Sequence, residues 1–443
     1  VFSIIIYRLA ALNYDETLMN LRIREGKMKA IAISIGNELL NGRTVNSNAS
    51  YIGRQLQETG IPLRRVLTVR DEPDEITSAL RLALDQTEVV LLTGGLGPTH
   101  DDITLKVVAD FFESELVFHP EVMARIEERY RERGRVLPEV NRRLAYVPEK
   151  AEVIMNPVGT APGAHFRDQA GRQVFVMPGV PREMEGMMQS YVLPHLKQEN
   201  RGANFTVHLY RTTGIAESRI FELCRSLFDQ YPEFETAFLP KFTGVDIRIT
   251  YREGEGPSNE KFQSFEQEFY GIIGAYIYTT EDIELEAVIG QLLNQRGWIL
   301  AVAESCTGGM VQHKITNIPG SSDYFLAGLT TYSNQSKLAL LGVKETTLQR
   351  FGAVSAETAQ EMAEGLRQRM GCDVAISTTG IAGPGGATPD KPVGLMYAGL
   401  ATAERSFAVK FLLGKERLIN KERGAQAALE MLRRELLGIK QDG

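Results

Sequence analysis

A local pattern recurs along this chain, in which an apolar run of β-type residues ends in a glycine-rich turn and a helical stretch follows. One example is Glu88 to Thr93, which is followed by Gly94-Gly95-Leu96-Gly97 and then by helical periodicity. An almost continuous apolar strand is typical of a sheet that is covered on both faces. From Met28 onward, the alternation of such runs with helical spacing predicts a doubly wound α/β fold with a parallel sheet.

Length and composition define the class of protein. With 443 residues, of which 43% are hydrophobic and 24% charged, the chain is predicted to be a globular protein of several domains. A net charge of −7 argues against general affinity for nucleic acids or anionic membranes. The three cysteines, Cys224, Cys306 and Cys372, are too widely spaced for a disulfide framework or a zinc motif, which suits a reducing cytoplasm.

Residues 1–27 are interpreted as an extension without function. Their apolar run, Phe2 to Tyr7, is too short to span a bilayer, and no signal-peptide cleavage pattern follows it. The first clear strand begins at Met28. A helix packed on the surface is the alternative interpretation of this segment.

The turn after the apolar run Trp298 to Val302 carries candidate chemistry. It places the Ser305 hydroxyl beside the Cys306 thiol, and Thr307-Gly308-Gly309 lead into a helix. A nucleophile beside free backbone N–H groups is what acyl transfer requires, because these groups can hold an oxyanion. A serine N-cap followed by a glycine turn is the alternative, and Cys306 is a rival nucleophile.

The candidate general base is a lysine. The only histidine after Ile283 is His313, which lies ~12 Å along a helix from Ser305 and therefore cannot serve as its base. Tyr332 and Lys337 flank the end of the next β-rich run, where side chains converge in open α/β sheets. A half-buried lysine there has a lowered pKa and can accept a proton. Taken singly, Tyr332 is more simply a core aromatic and Lys337 a solvated helix lysine.

A second glycine loop follows the strand-like run Val374 to Thr379. The backbone N–H groups of Gly380, Ala382 and Gly383 in this loop can approach an anion such as a phosphate. Glycine loops are also common as plain turns, so this signal is weak by itself.

Together these segments resemble one known family. The phrases AESCTGG, TYSNQSK, FGAVSAET, TGIAGPGG and KPVG occur in order over residues 282–437 and are similar to the carboxyl-terminal module of the competence/damage-inducible CinA family. The resemblance implies a nicotinamide mononucleotide deamidase without a cofactor, with Ser305 as nucleophile, Tyr332 as proton relay and Lys337 as general base. One departure is Gly414-Lys415-Glu416-Arg417, where the family has a Gly-Asp-Arg-Glu-like turn, so either its lysine or its arginine could contact the substrate phosphate.

The glycine loop near the amino terminus is followed by two adjacent carboxylates. Gly94, Gly95 and Gly97 present N–H groups before a helix, where phosphate binds, and Thr99 lies beside them. Asp101-Asp102 directly after this loop suggests a bridging divalent cation. Capping of the helix by an aspartate is the alternative.

A second set of phrases, GNELLNG, VNSN, TGGLGPTHDD, NPVGTAPG and PGVPREM, occurs over residues 28–200 and resembles the amino-terminal part of CinA, which is similar to molybdopterin-binding proteins of the MogA type. The resemblance implies a metal-dependent ADP-ribose pyrophosphatase that yields AMP and ribose 5-phosphate. Asp101, Asp102 and Glu38 are then the metal candidates, and Asn46 lies beside the nucleotide. The fold relatives bind a pterin phosphate without cleaving it, so a non-catalytic molybdopterin- or nucleotide-binding module is the alternative.

The segment between the two modules is predicted to be a small α+β domain, for which the resemblance suggests a KH-like fold. RNA-binding KH modules use a G-x-x-G clamp, whereas Gly214-Ile215-Ala216-Glu217 lacks the second glycine. Residues 203–280 contain seven Lys or Arg and eleven Asp or Glu. This charge balance disfavours nucleic-acid binding and favours a spacer or dimer-contact role.

These inferences define the predicted organisation. We expect an α/β multidomain chain with a MogA-like three-layer αβα domain at 28–202, a KH-like α+β domain at 203–281 and a three-layer α/β deamidase domain at 282–443. The predicted function is hydrolysis of two pyridine-nucleotide breakdown products by a cytoplasmic homodimer that binds small nucleotides but neither nucleic acid nor membrane. A divalent metal ion of unspecified identity is expected in the amino-terminal domain only.

Overall fold

The computed structural model describes residues 28–200, 205–252 and 259–441. The predicted extension at 1–27 and the predicted boundary at 202–203 lie outside these residues. The described residues separate into two compact units, the first up to Thr206 and the second from Val207 onward, except that Arg252 groups with the first. Among the described helices, none is both long enough and apolar enough to cross a membrane.

A six-stranded sheet forms the centre of the first unit. The strands of this unit are β1 (Ala30–Ile35), β2 (Leu63–Val69), β3 (Val89–Thr93), β4 (Leu116–Phe118), β5 (Tyr146–Pro148), β6 (Glu152–Ile154), β7 (Gly163–Arg167) and β8 (Gln173–Met177). The order in the sheet is β2-β1-β3-β8-β7-β6, and β4 pairs with β5 separately. Strand β7 is antiparallel to both of its neighbours, whereas β1, β2, β3 and β8 are parallel. The expected parallel sheet is therefore corrected to a mixed one, because β7 has short connections that only antiparallel neighbours can use.

Several helices of the first unit begin at residues that favour the start of a helix. They are α1 (Asn37–Leu40), α2 (Ser47–Glu58), α3 (Pro73–Leu84), α4 (Thr104–Phe111), α5 (Pro120–Glu132), α6 (Pro181–Met187) and α7 (Leu193–Glu199). Helices α3, α5 and α6 each start with a proline, whose missing N–H would be unpaired at that position anyway. Asn46 caps α2, since its Oδ1 accepts a hydrogen bond from the Ala49 N–H (3.1 Å).

Alternate residues of the central strands pack on opposite faces of this sheet. Ile33 and Leu92 belong to the core that includes α3, α4 and α5. Ala32 and Leu91 belong to the core on the other face, which includes α2, α6 and α7. This burial on both faces explains the continuous apolar strands and confirms the predicted three-layer αβα architecture.

The second unit begins with a small α+β domain. Its elements are β9 (Phe205–Thr212), α8 (Glu217–Gln230), β10 (Glu235–Pro240), β11 (Val245–Arg252), α9 (Asn259–Ile273) and β12 (Ile277–Thr279). The strands form a sheet of order β10-β11-β9-β12, and both helices contribute to a core that contains Phe265 and Phe269. The predicted α+β class of this segment is confirmed.

A five-stranded sheet forms the rest of the second unit. Its elements are α10 (Leu285–Arg296), β13 (Leu300–Glu304), α11 (Met310–Thr316), β14 (Phe325–Thr330), α12 (Asn334–Leu341), α13 (Glu345–Phe351), α14 (Ala356–Met370), β15 (Val374–Gly380), β16 (Leu395–Ala401), β17 (Ser406–Leu412) and α15 (Arg417–Leu437). The order is β14-β13-β15-β16-β17, with β13 parallel to β14 and to β15. Ala301 and Ala303 pack with α12 and α14, whereas Leu300 and Val302 pack with α10, α11 and α15. The three-layer prediction is confirmed, and the carboxyl ends of β13, β14 and β15 lie side by side.

Candidate active sites

The first candidate site lies where β13 ends and the chain turns into α11. Strand β13 ends at Glu304, and the N–H of Ser305 donates to the Thr378 carbonyl oxygen in the neighbouring strand (2.9 Å). Gly308 and Gly309 continue the turn with φ angles of 61° and 95°, which glycine adopts without strain. The strand–turn–helix unit therefore delivers Ser305 to the carboxyl edge of the sheet.

Lys337 approaches Ser305 from the first turn of α12. A reciprocal capping box fixes the start of this helix, in which Ser333 Oγ accepts from the Ser336 N–H (3.1 Å) and Ser336 Oγ accepts from the Ser333 N–H (3.2 Å). Lys337 is only 1% exposed. Its Nζ donates to Ser305 Oγ (2.9 Å) and to the Thr331 carbonyl oxygen (2.7 Å). A nucleophile and an amine are thus in direct contact inside the domain.

Burial determines the protonation chemistry of this pair and of the neighbouring thiol. It lowers the pKa of Lys337, because a buried site disfavours the charged ammonium. Burial also raises the pKa of the Cys306 thiol to about 12, and the nearby Glu304 carboxylate contributes to the rise. An amine with a lowered pKa can accept a proton, whereas a protonated thiol is a weak nucleophile. The surroundings therefore favour Ser305 over Cys306.

A cavity of about 260 Å³ opens beside the serine and the lysine. Its lining includes Ser305, Cys306, Tyr332 and Lys337, together with most of the loop at 379–386. The predicted anion-binding residues Gly380, Ala382 and Gly383 all belong to the part of that loop that lines the cavity. Elements that are far apart in the sequence are therefore brought to one site.

Tyr332 and Arg417 meet at this cavity. Tyr332 is 59% exposed, and its hydroxyl accepts a hydrogen bond from Arg417 Nη2 (2.9 Å). Arg417 is the first residue of α15 and also donates through Nη1 to the Gly383 carbonyl oxygen (2.8 Å). Of the two cations that the sequence left open, Arg417 lines the cavity, and Lys415 is not among the described residues that do so. Tyr332, interpreted from the resemblance as a proton relay, is thus linked to a guanidinium.

The residues that directly follow Cys306 serve the turn itself. Gly309 N–H and Thr307 Oγ1 both donate to Glu304 Oε2 (2.9 and 2.6 Å), and Gly308 N–H donates to the Ser305 carbonyl oxygen (3.2 Å). Among the described residues that line the cavity, Thr307, Gly308 and Gly309 do not occur. The structure therefore does not bring these predicted oxyanion donors to the cavity.

The second candidate site lies at the glycine loop after β3. A cavity of about 350 Å³ is lined there by Gly95, Gly97 and Asp102, together with the cationic side chains of Lys106 and Arg143. The Arg143 guanidinium also donates to the Gly97 carbonyl oxygen (3.4 Å) and thereby ties the loop to the following segment. A glycine loop before a helix and two cations at one cavity are features of an anion site, and here Lys106 also pairs with Asp110 while Asp102 shares the lining. Sequence reasoning did not select Lys106 or Arg143, because nothing in their local pattern distinguishes them from surface cations.

The remaining residues of this loop have different surroundings. Gly94 has a φ of 117° and lies against the carbonyl group of Ile35, where a side chain would not fit. Asp102 Oδ2 accepts from both the N–H and the hydroxyl of Thr99 (2.8 and 2.6 Å). Asp101 is largely exposed and pairs with His100 (3.1 Å). The two adjacent aspartates therefore differ in their roles within the loop.

Glu38 and Asn46 line a separate cavity of about 80 Å³ at the carboxyl ends of β1 and β3. Asn48 lines it as well, and its Nδ2 donates to Thr93 Oγ1 (2.8 Å) and to the Gly179 carbonyl oxygen (2.9 Å). Asn48 Oδ1 is buried and has no hydrogen-bond partner within the described part of the chain. In the sequence, Asn48 stands out only as the last residue of the VNSN phrase.

The acidic residues of this unit do not form a metal site by themselves. Within residues 28–200, 205–252 and 259–441, no group of three or more His, Cys, Asp or Glu side chains is arranged to hold a metal ion. Burial raises the pKa of Asp71, which the sequence analysis did not select, and the nearby carboxylates of Glu38 and Asp102 add to this rise. Acidic groups are thus gathered here, but as placed they do not fit a metal site made of three protein side chains.

Comparison with known proteins now identifies the family. Three family models match in order, namely "Probable molybdopterin binding domain" at 31–198, "Damage-inducible protein CinA KH domain" at 208–279 and "CinA C-terminal domain" at 282–436. A "CinA-like protein" of Chloroherpeton thalassium is 46% identical over 422 residues, which cover 92% of this chain and 99% of that protein. This chain belongs to the CinA family.

Further CinA relatives extend the comparison. A "CinA-like protein" of Salinibacter ruber is 39% identical over 92% of this chain and 100% of its own length. The family resemblance carried by the sequence motifs is thereby confirmed. A solved structure described as the protein CinA with unknown function from Thermoplasma acidophilum is 39% identical, covers 38% of this chain and 96% of its own, and has a TM-score of 0.35.

Proposed function

We propose that the carboxyl-terminal domain hydrolyses the carboxamide of nicotinamide mononucleotide to nicotinate mononucleotide and ammonia. The observation that carries this proposal is the 2.9 Å contact between Lys337 Nζ and Ser305 Oγ beside a cavity. Because burial lowers the pKa of Lys337, its amine can accept the serine proton. The family resemblance supplies the identity of the substrate.

The reaction proceeds in two halves through an acyl-enzyme. Lys337 takes the proton of Ser305 as Oγ bonds to the amide carbon. The C–N bond then breaks, and the lysine ammonium gives its proton to the departing amine, so that ammonia leaves. Water attacks the resulting ester while Lys337 accepts its proton, and that proton returns to Ser305 as the ester C–O bond breaks.

Arg417 is suited to bind the phosphate of this substrate. Its guanidinium lines the same cavity as Ser305 and is oriented by Tyr332 and by the Gly383 carbonyl oxygen. A planar guanidinium offers several donors to a phosphate group. In this arrangement, Tyr332 positions the phosphate-binding cation, in addition to any transfer of protons.

Incubation of the full chain with nicotinamide mononucleotide tests this proposal. We expect ammonia and nicotinate mononucleotide in equal amounts, with no requirement for added metal. The Ser305→Ala variant, purified in the same way, controls for contaminating amidases. Absence of ammonia with a folded wild-type protein would contradict the proposal.

A second proposal concerns the amino-terminal domain, which we infer binds ADP-ribose and cleaves its pyrophosphate to AMP and ribose 5-phosphate. The supporting observation is the cavity in which Gly95, Gly97, Lys106 and Arg143 surround a space suited to phosphate groups. The family resemblance supplies the requirement for a divalent metal ion. The described part of the chain forms no site in which three protein side chains could hold this ion.

Release of AMP distinguishes cleavage from binding. We expect AMP from ADP-ribose in the presence of a divalent cation and little after chelation. Binding of ADP-ribose without AMP release under both conditions would instead support the alternative, a module that holds a nucleotide or molybdopterin without turnover. Calorimetric titration with ADP-ribose in the same buffers supplies the binding measurement.

A further inference from the structure

The carboxylate of Glu304 is the centre of the turn that carries Ser305. Glu304 is fully buried at the end of β13. Its Oε2 accepts from Thr307 Oγ1 (2.6 Å), Gly309 N–H (2.9 Å) and Val311 N–H (3.1 Å), and its Oε1 accepts from Gln312 N–H (2.9 Å). One side chain thus binds four donors within the eight residues that follow it.

Helix α11 depends on this carboxylate for its start. The residue before the helix is Gly309, which has no side chain to cap it. The first N–H groups of a helix have no partner inside the helix and must be satisfied from elsewhere. Glu304 supplies that acceptor from the preceding strand, and its charge suits the positive end of the helix dipole.

The same residue lies directly before the nucleophile. Successive residues of an extended strand point to opposite sides, so the side chain of Glu304 holds the turn while the hydroxyl of Ser305 reaches Lys337. The backbone at this point is also held by the Thr331 N–H, which donates to the Glu304 carbonyl oxygen (2.8 Å). The 2.9 Å contact between Ser305 Oγ and Lys337 Nζ therefore depends on how firmly Glu304 fixes the turn.

We propose that Glu304 is a positioning residue that holds the Ser305 turn in the geometry needed for attack. This inference rests on the proposed deamidase function for its substrate, but the placement of the serine does not require that substrate. An error of ~1 Å in the position of a reacting group can reduce the rate about 100-fold. The effect is on the rate of bond formation to Ser305, and the binding of substrate by Arg417 is left largely intact.

The test compares Glu304→Gln with Glu361→Gln. Glutamine is similar in shape, but its amide nitrogen replaces one acceptor oxygen, so one N–H group of the turn is left facing a donor. Glu361 is the matched control, because its carboxylate also accepts from the start of a seven-residue helix, α13, through the Lys344 N–H (2.9 Å) and Thr347 Oγ1 (2.8 Å). It does not line the cavity at Ser305 among the described residues.

Two rates are measured for each variant, and each is normalised to the amount of folded protein. For Glu304→Gln we expect kcat for nicotinamide mononucleotide to fall about 10- to 100-fold with KM within about 2-fold, as for an interaction that acts on the transition state. We also expect a similar fall in the rate at which a fluorophosphonate labels Ser305, followed by intact mass. Glu361→Gln should match wild type in both rates, even if it lowers the thermal midpoint.

Thr307→Val provides a second variant, which removes the hydroxyl that donates to Glu304 (2.6 Å) and that also shares a hydrogen bond with Thr378 Oγ1 (2.7 Å), and we expect its labelling rate to fall about 3- to 10-fold. If Glu304→Gln does not fold, the labelling rate of Thr307→Val tests the positioning role of Glu304. Labelling rates equal to wild type in the folded variants, or equal losses in Glu304→Gln and Glu361→Gln, would overturn the positioning role. Labelling of wild-type Ser305 without any release of ammonia would overturn the proposed substrate instead, and the relative labelling rates would still decide the role of Glu304.

Discussion

The two candidate sites differ in how the predicted residues come together. In the carboxyl-terminal domain, Ser305, Tyr332 and Lys337 lie at one cavity, and two of them are in direct contact. In the amino-terminal domain, Asp102 lines one cavity and Glu38 lines another. A nucleophile and its base can already be in contact without substrate, whereas residues that bind a ligand need only surround it. Geometry without a ligand therefore supports the first site more directly than the second.

The largest expected effect tests the serine at the better supported site. Ser305→Ala should reduce ammonia release by at least about 10⁴-fold, because it removes the proposed nucleophile. Cys306→Ala should retain most of the activity, since the raised pKa of Cys306 keeps the thiol protonated. Steady-state release of ammonia by both variants is the measurement. The opposite ranking would assign the nucleophile to the thiol.

Replacement of the base should cost somewhat less. Lys337→Met should lower kcat about 10²- to 10⁴-fold. Lys337→Arg should be no better, because a guanidinium is not deprotonated in proteins. The exposed Lys344 offers a control, since Lys344→Met should leave kcat near that of wild type. A full rate in Lys337→Met would show that the lysine in contact with Ser305 Oγ at 2.9 Å is not the base.

The pH dependence of kcat provides a further test of Lys337 as the proposed base. The reaction needs the neutral amine, and burial lowers the pKa of Lys337 below its ordinary value. The rate should therefore rise as the pH increases through this lowered pKa and should fall below it, where the amine is protonated. Profiles of kcat against pH for wild type and for the residual activity of Lys337→Met measure this. The fall of kcat at low pH should be missing in Lys337→Met. If this fall persists in the variant, it reflects the protonation of another group.

A smaller effect is expected at Arg417, the proposed phosphate-binding cation. Arg417→Ala should raise KM about 10- to 100-fold, because it removes charge-assisted hydrogen bonds to the substrate. Lys415→Ala should change KM little, since this lysine is not among the described residues that line the cavity. Initial rates over a range of nicotinamide mononucleotide concentrations measure both values. A larger effect of Lys415→Ala would show that the substrate reaches beyond the cavity described above.

The smallest expected effect concerns the amino-terminal site, where the comparison is between adjacent aspartates. Asp102→Ala should weaken ADP-ribose binding about 10-fold, because it removes the acceptor of two hydrogen bonds from Thr99 that hold the loop beside the cavity. Asp101→Ala should have little effect, since Asp101 is exposed and pairs with His100. Calorimetric titration and AMP release measure binding and turnover separately. Equal effects of the two substitutions would favour a joint role, as the sequence suggested.

Much of the fold could be predicted because its strands and helices carry local signals. The apolar run at Glu88 to Thr93 predicts a strand that the structure places at Val89–Thr93, and Pro181 predicts the start of α6. The antiparallel direction of β7 was missed, because the residues of a strand do not record the direction of its neighbours. Strand direction is decided by the connections and by the packing of the whole sheet.

Local patterns in the chain are enough to predict a serine after a strand, a lysine near the start of a later helix, and the lack of a histidine close enough to act instead. The packing of distant segments sets how these residues meet, since Lys337 is buried against Ser305, Arg417 rather than Lys415 lines the cavity, and Glu304 accepts the Gly309 N–H predicted for the oxyanion. The reason is physical. Burial, the pKa values and the hydrogen-bond partners depend on atoms from distant segments, and local spacing does not contain that information.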